Sequence, residues 1–399
     1  MSRSATDAAA RVRSLNGGAA ALAYVKVFGC QQNEADGERL RGMLAEMGYG
    51  FTEDAGLADV VVFNTCGVRL HAEQRAFGHI GAAGREAVIR RKRQIVAVCG
   101  CMAQLESVRE TLKRSYRHVN LVFGPDDLHR FPELLYGALT EGGRHFHETS
   151  SGAPPDAEEG LPALRTPPAK AEGRAFVTVM KGCDNYCSYC VVPYTRGRER
   201  SRAPEAVTAE VKGLIEQGYR EFTLLGQNVN SYRPGGGGEI ADFPDLLAAL
   251  AGLDGDFSLR FMTSHPKDAS DKLFAVMADC PKIAPHLHLP AQSGSTKILA
   301  AMNRGYTREH YIALTERARA AVPGLNLTGD IMVGFPGETE ADFEETLELL
   351  ETVRFDSLFT FLYSPRPGTP AADLPDDTPM EVKKARFQRL LETQRRVEG

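Results

Sequence analysis

From Ala21 onward the chain alternates short apolar runs with longer amphipathic ones. ALAYVKVF (21–28), DVVVFN (59–64) and QIVAVC (94–99) are short, rich in Val and bounded by turn residues or charges. That is the pattern of strands buried on both faces. Helical periodicity runs between them, over 34–47 and 69–91. Strands alternating with helices predict a parallel sheet covered by helices, with ligands at the carboxyl ends of the strands. Residues 149–173, TSSGAPPDAEEGLPALRTPPAKAEG, are rich in Pro, Gly, Ser and Glu and have no period, which reads as a linker. Strand patterns then recur at 175–180, 221–225, 257–262, 285–289, 326–333 and 357–363. Helical patterns separate them at 204–217, 243–251, 270–279, 307–321 and 339–352. These are six βα units, short of the roughly eight that close a TIM barrel. The expected fold is α/β: an N-terminal parallel-sheet domain (21–148), the linker (149–173) and a partial (βα)6 TIM-like barrel (174–379). Residues 1–20 are small and polar and read as a disordered extension, and 380–399 as a closing charged helix.

At 399 residues, with 43% hydrophobic and 25% charged positions, the chain is ordinary globular material of more than one domain. This excludes collagen-like, disordered and small disulfide-framework classes. No stretch approaches the roughly 18 uncharged apolar residues of a membrane helix. The N-terminus lacks the apolar core of a signal peptide. A cytoplasmic, membrane-free monomer is expected. The net charge is -5, so any nucleic-acid contact must come from a local basic patch.

Eight cysteines in 399 residues are too sparse for a disulfide framework. Three of them, Cys183, Cys187 and Cys190, form a Cys-x3-Cys-x2-Cys loop directly after a predicted strand. Three thiolates on one loop can hold three irons of a cubane cluster and leave the fourth iron open. Structural zinc normally takes four protein ligands. A zinc-bound, non-enzymatic RNA-binding module is therefore the rival of another class, separated by metal analysis. Arg196, Arg198, Arg200 and Arg202 alternate, and if extended they would project to one side and face an anion.

The segment GCDNYCSYCVVPYTRGRERSR (182–202) resembles the radical S-adenosylmethionine (SAM) superfamily, and more closely the MiaB-type methylthiotransferases. So do FGCQQNEADGERL (28–40), FNTCGVRLHAEQ (63–74), CGCMAQ (99–104), LLGQNVNSY (224–232), HLPAQSGS (288–295) and TGDIMVGFPGETEADF (328–343). Together these blocks span about residues 22–395.

The resemblance implies a radical SAM barrel whose open iron binds the amino and carboxylate groups of SAM. Electron transfer there cleaves SAM to methionine and a 5′-deoxyadenosyl radical. It implies a second, auxiliary 4Fe-4S cluster on Cys30, Cys66 and Cys101, each of which follows a predicted strand of the first domain. The bland alternative is three buried free cysteines. The family motif selects Cys101 over Cys99, which reads as a packed strand-end residue, and Cys280 reads as a small buried hydrophobe. Tyr189, Gln227, Gly334 and Gly337 are the implied SAM contacts, and Asn228, beside Gln227 at the end of a barrel strand, is a further candidate polar contact. Gln31, Asn33 and the four arginines are candidates for substrate or anion contacts, the anion being the SAM carboxylate or tRNA phosphate.

The implied substrate is N6-isopentenyladenosine at position 37 in the tRNA anticodon loop, methylthiolated at C2. A reducing electron donor and an iron–sulfur or sulfur supply protein are the implied partners. The nearest rivals are methylthiotransferases acting on threonylcarbamoyladenosine in tRNA or on a ribosomal-protein aspartate; FGCQQN and NTCGVR favour the MiaB type. The resemblance implies a C-terminal TRAM domain, a small RNA-binding β-barrel, after the closing helix; the expectation here is that it is absent or truncated.

Overall fold

A computed structural model describes the chain except residues 1–2, 18–19, 69, 91–92, 148–160, 168–169, 171–172, 236 and 399. Two compact units emerge, residues 1–170 with 191–198, and residues 171–190 with 199–399.

The first unit is built on the strands β1 (Leu22–Val27), β2 (Gly50–Phe51), β3 (Val60–Thr65), β4 (Ile95–Gly100), β5 (Val119–Phe123) and β6 (His145–Phe146). They form one parallel sheet in the order β2-β1-β3-β4-β5-β6. The central strands β3 and β4 are buried at every position. Their unbroken apolar runs suit a strand covered on both faces. One face packs Val60, Val62, Ala97, Leu121 and Phe123 against α2 (Gln31–Glu46) and α5 (Phe131–Thr140). The other packs Val61, Phe63, Val96, Val98 and Val122 against α3 (Leu70–Arg90) and α4 (Glu106–Ser115). The two sets alternate along each strand because successive side chains point to opposite faces. Cys99 falls in the first set and is fully buried.

Two expectations are corrected here. Residues 3–15, read as part of a disordered extension, form the helix α1 (Arg3–Leu15). Ala5, Ala8, Ala9 and Val12 are buried, and their spacing is that of one helical face. Alanine runs are strong helix formers, and a face of small residues carries little hydrophobic contrast. The linker 149–173 lies largely outside the described residues. Its piece 161–165 is packed, not free. Leu161 joins the core of the first unit, the Leu164 amide donates to Glu38 O, and the Pro162 carbonyl occupies the place of a Cβ on Gly42.

The second unit holds six parallel strands: β7 (Arg174–Thr178), β10 (Glu221–Leu225), β11 (Ser258–Met262), β12 (His286–His288), β13 (Asn326–Val333) and β14 (Ser357–Leu362). They pair as β11-β10-β7 and β12-β13-β14, and a parallel bridge between Leu259 and Ile283 joins the two sets. The helices α7 (Pro204–Glu216), α8 (Phe243–Ala251), α9 (Asp271–Asp279), α10 (Thr296–Ala301), α11 (Arg308–Ala321), α12 (Glu340–Val353) and α13 (Met380–Glu398) follow in chain order. This is the partial (βα)6 barrel expected from the sequence. A short antiparallel ribbon, β8 (Met180–Lys181) with β9 (Arg200–Ser201), flanks the cysteine loop. The barrel domain is not continuous in sequence as expected. Residues 191–198, including helix α6 (Val192–Arg196), pack with the first unit. Among the described residues no helix is long and apolar enough to cross a membrane.

Candidate functional site

In the first unit, register decides where the cysteines emerge. Thr65 pairs with Gly100 and Val27 with Asn64, so β1, β3 and β4 end nearly level and their exit loops are neighbours. Glycines let these loops interlock. Gly29 has φ +119°, and a Cβ there would lie 2.4 Å from Cys66 Cβ. A Cβ on Gly100, at φ +88°, would lie 2.4 Å from Thr65 O. A side chain at Gly67 would press on Cys101 at 3.2 Å. Only glycine takes the positive φ and close approach of Gly29 and Gly100 at no cost. Polar contacts finish the join: Asn64 Nδ2 donates to Asn33 O (2.8 Å), and Asn33 Nδ2 to Phe28 O (2.8 Å). Cys66 and Cys101 are buried while Cys30 is exposed.

The charge at this site comes from a residue read differently in the sequence. Arg196 ends α6 and is 3% exposed. Its Nε donates to Cys101 Sγ (3.1 Å), and its Nη2 to Asn33 Oδ1 (3.0 Å) and Asp36 Oδ2 (2.8 Å). The Cys30 thiol reaches the same Asn33 oxygen at 3.6 Å. A buried guanidinium beside Cys101 and Cys30 suits thiolate ligands, because it compensates negative charge away from water. Among the described residues, no three His, Cys, Asp or Glu side chains are placed to hold a metal ion. Three thiolates are the donor set that a cubane cluster with one open iron would take, whereas structural zinc normally takes four protein ligands.

The second cysteine trio lies in the second unit, on the loop after β8. The Gly182 amide donates to Gln227 Oε1 (2.6 Å) and fastens the start of the loop to the exit of β10. Ser188 donates from its amide to Met302 O (3.0 Å) and from its hydroxyl to Ala301 O (2.8 Å). Asn303 Nδ2 donates to the carbonyls of Asn185 and Tyr186. Cys183 and Cys187 are buried and Cys190 is half-buried. Burial pushes the Cys183 thiol up to about 11, so metal binding there must displace a proton. Arg304, 5% exposed, donates from Nη1 to Cys187 Sγ (3.4 Å), from Nε to Tyr306 Oη (3.0 Å) and from Nη2 to Pro290 O (2.8 Å). Its Nη1 also meets Tyr189 Oη at 3.5 Å. Each trio thus has its own buried arginine.

The other sequence-predicted residues divide into those used by the fold and those left open. Gln227 is engaged with Gly182. Gly334 (φ +76°) gives its amide to the Glu338 carboxylate, and the Lys383 stem fills the place of its Cβ. Glu338 is in turn held by Arg386 (3.0 Å). Gly337 (φ +81°) has open space around its Cβ position, and its carbonyl accepts from Lys297 (3.2 Å). Tyr189 packs against the small apolar cluster that holds Phe335 of the same turn. Gln31 is exposed in the first turn of α2, whereas Asn33 is buried in scaffold bonds.

The arginines do not line up on an extended strand. Arg196 is helical and Gly197 turns the chain at φ +70°. Arg198 is exposed, Arg200 lies in β9, and Arg202 donates to Thr178 O (2.6 Å) and Glu210 (2.7 Å). Sequence reasoning missed Asp36, Arg304 and His265. Asp36 lies within a recognised block and Arg304 outside them, and spacing alone carries no sign of their burial beside the cysteines.

A partial parallel barrel with three cysteines on the loop after its first strand defines a radical SAM enzyme, which uses SAM and an iron–sulfur cluster. Residues 177–350 match the model of the Radical SAM superfamily, and residues 22–124 that of Uncharacterized protein family UPF0004. Solved structures share the fold. The radical SAM methyltransferase TsrM from Kitasatospora setae aligns with TM-score 0.63 at 16% identity, covering 88% of this chain and 75% of that one. The cobalamin-dependent radical SAM enzyme OxsB aligns with TM-score 0.61 at 13% identity, covering 95% and 56%. The tRNA-2-methylthio-N(6)-dimethylallyladenosine synthase of Acetivibrio thermocellus is 49% identical over 379 residues, 94% of this chain and 77% of that protein. Proteins of the same name from Thermoanaerobacter sp. (strain X514) and Clostridium tetani are 47% and 45% identical, over 94% and 92% of this chain and 78% and 80% of theirs. The chain belongs to the MiaB-type tRNA methylthiotransferase family.

Proposed function

We propose that the protein methylthiolates C2 of N6-isopentenyladenosine at position 37 of tRNA, with SAM and two 4Fe-4S clusters. The observation that supports the reading is the close interlocking of the loops that carry Cys30, Cys66 and Cys101, with Arg196 bonded to Cys101 and to Asn33. It gives the first unit a cysteine trio of its own, beyond the one that SAM cleavage needs. Cys183, Cys187 and Cys190 would hold the cluster that delivers an electron to SAM, and Cys30, Cys66 and Cys101 the one at which sulfur is supplied. Within that scheme this chain's residues do the holding. Arg304 and Arg196 donate hydrogen bonds to one ligand sulfur in each trio, which draws negative charge off the thiolates. Three ligands per cluster leave one iron of each open to a small molecule. The target base must leave its stack to be reached, which an anticodon-loop purine does at low cost. A reducing donor and a sulfur supply protein act as partners, and the protein works as a cytoplasmic monomer.

The test is anaerobic reconstitution with iron and sulfide, counting both per chain, for the wild type and a Cys30→Ala/Cys66→Ala/Cys101→Ala variant. Loss of about half the iron is expected, as two equal cubane clusters require. A variant that keeps all its iron leaves a one-cluster radical SAM enzyme and removes the methylthiotransferase reading.

A further inference from the structure

The exits of β10 and β11 carry buried polar atoms that the fold does not use. The two loops are one cluster: the Val229 amide donates to Thr263 O (2.9 Å), and Asn228 Nδ2 donates to the Asp268 carboxylate (2.7 Å). Among the described residues, Asn228 Oδ1, both amide atoms of Asn230, Ser264 Oγ and His265 Nε2 have no hydrogen-bond partner. All four residues are at most 5% exposed. A buried polar atom without a partner costs roughly 1–3 kcal/mol, and native folds carry few of them. Several on two adjoining strand exits, at the carboxyl end of a barrel where ligands bind, call for a ligand that completes them. The backbone agrees. Thr263 sits at φ +72°, an outlier for a β-branched residue and a kind of strain that gathers at binding sites.

His265 is set up as a neutral donor. Its Nδ1 accepts from the Lys267 amide (3.3 Å), so the ring hydrogen is on Nε2. Burial, with Arg304 and Lys267 adding to it, keeps the imidazole uncharged. The ring meets Tyr306 edge to face at 5.7 Å. The Tyr306 hydroxyl accepts from Arg304, which in turn donates to Cys187. This chain of contacts places His265 in the layer that supports the cysteine loop. The unused atoms are all neutral: an imidazole N–H, a hydroxyl, an amide and an amide oxygen. The charges beside them are engaged, Asp268 with Asn228 and with Lys267 at 3.8 Å. A phosphate would demand cationic donors. A nucleoside, with ring-nitrogen acceptors and ribose hydroxyls, matches the set.

We propose that Asn228, Ser264 and His265 form the recognition site for the target purine nucleoside, with His265 Nε2–H donating to a ring nitrogen of the base. The proposal rests on the methylthiotransferase reading. SAM carries a purine too, so the experiment separates the two sources. Wild type, His265→Leu and His265→Gln are reconstituted and their iron content matched. SAM affinity is measured by equilibrium dialysis. RNA affinity is measured by fluorescence anisotropy with a labelled anticodon stem-loop carrying N6-isopentenyladenosine, and with the same stem-loop abasic at that position.

The expected result is that His265→Leu weakens the modified stem-loop about tenfold, the worth of one buried hydrogen bond. The abasic stem-loop and SAM should bind as before, and His265→Gln, which keeps a donor, should recover part of the loss. Weakened SAM binding instead would assign the site to the cofactor's adenine. Equal weakening of both RNAs, or none, would make His265 structural. Either outcome overturns the proposal. A wild type that forms methylthio product while His265→Leu binds normally defeats this site alone. A wild type without product whose base-dependent binding is lost in His265→Leu defeats the methylthiotransferase reading alone.

Discussion

Replacing Arg196 by Met tests the electrostatics of the first cysteine site. The guanidinium lies 2.8 Å from the Asp36 carboxylate, with side chains 3% and 2% exposed. Removing one partner of such a pair leaves an uncompensated buried charge, at about 3–5 kcal/mol. Asp36 keeps some support, since Gln32 Nε2 donates to it (3.1 Å) and Arg39 stands 3.9 Å away. That relief places the expected loss near the lower end, about 3 kcal/mol. Removing both charges, Arg196→Met with Asp36→Leu, should cost about 1 kcal/mol or less, because an apolar pair of similar volume replaces a desolvated one. The cycle then gives a coupling of about 2 kcal/mol or more. Arg196→Lys should recover only part, because a compact ammonium cannot serve the sulfur, the amide and the carboxylate together. The assay is urea unfolding of the reduced, metal-free protein, with iron retention against a chelator measured on the reconstituted variants. A single variant within 1 kcal/mol of wild type, or a double variant equal to the sum of its singles, would refute the account of Arg196 as a buried counter-charge; these thresholds follow from the same estimate.

Further outcomes follow from the same geometry. Gly29→Ala places a methyl 2.4 Å from Cys66 Cβ at φ +119°; a loss of about 2–4 kcal/mol is expected from strain plus overpacking, with depleted iron at the first trio, and unchanged values for both would count against interlocked loops. The His265 ring is pushed down to about 2, chiefly by burial. Below about pH 6.5 the unfolded chain therefore takes up a proton that the folded chain refuses. Stability should fall as pH drops below that value, by up to about 1.4 kcal/mol per pH unit, and the His265→Gln variant should lose this component in denaturation at stepped pH. Thr339→Ala breaks the capping box of α12, in which Thr339 Oγ1 accepts from the Asp342 amide and Asp342 accepts from the Thr339 amide. A loss of about 1 kcal/mol is expected by thermal unfolding, and no loss would show that Asp342 is held by Ser295 and Lys297 alone.

The elements were readable because buried parallel strands announce themselves as Val-rich runs between turns. β3, β4, β10 and β13 lie within a residue of where the pattern puts them. The helix α1 was not readable, since its buried face is made of alanines that carry little hydrophobic contrast. The arginine alternation misled because period two implies a strand only if the backbone is extended. Here a short helix and a glycine with positive φ intervene.

The sequence by itself determined the two cysteine trios, the strand that precedes each of their loops and the alternation that makes the sheet and the barrel. Those are local properties: residue type, spacing and period. What surrounds the sulfurs was decided only by tertiary structure. Arg196 lies 95 positions from Cys101 and Arg304 lies 117 from Cys187, and neither distance leaves a trace in local pattern. The unused polar atoms of Asn228, Ser264 and His265 belong to the same class. A side chain is unsatisfied only with respect to everything folded around it, and that is known only when the chain has closed.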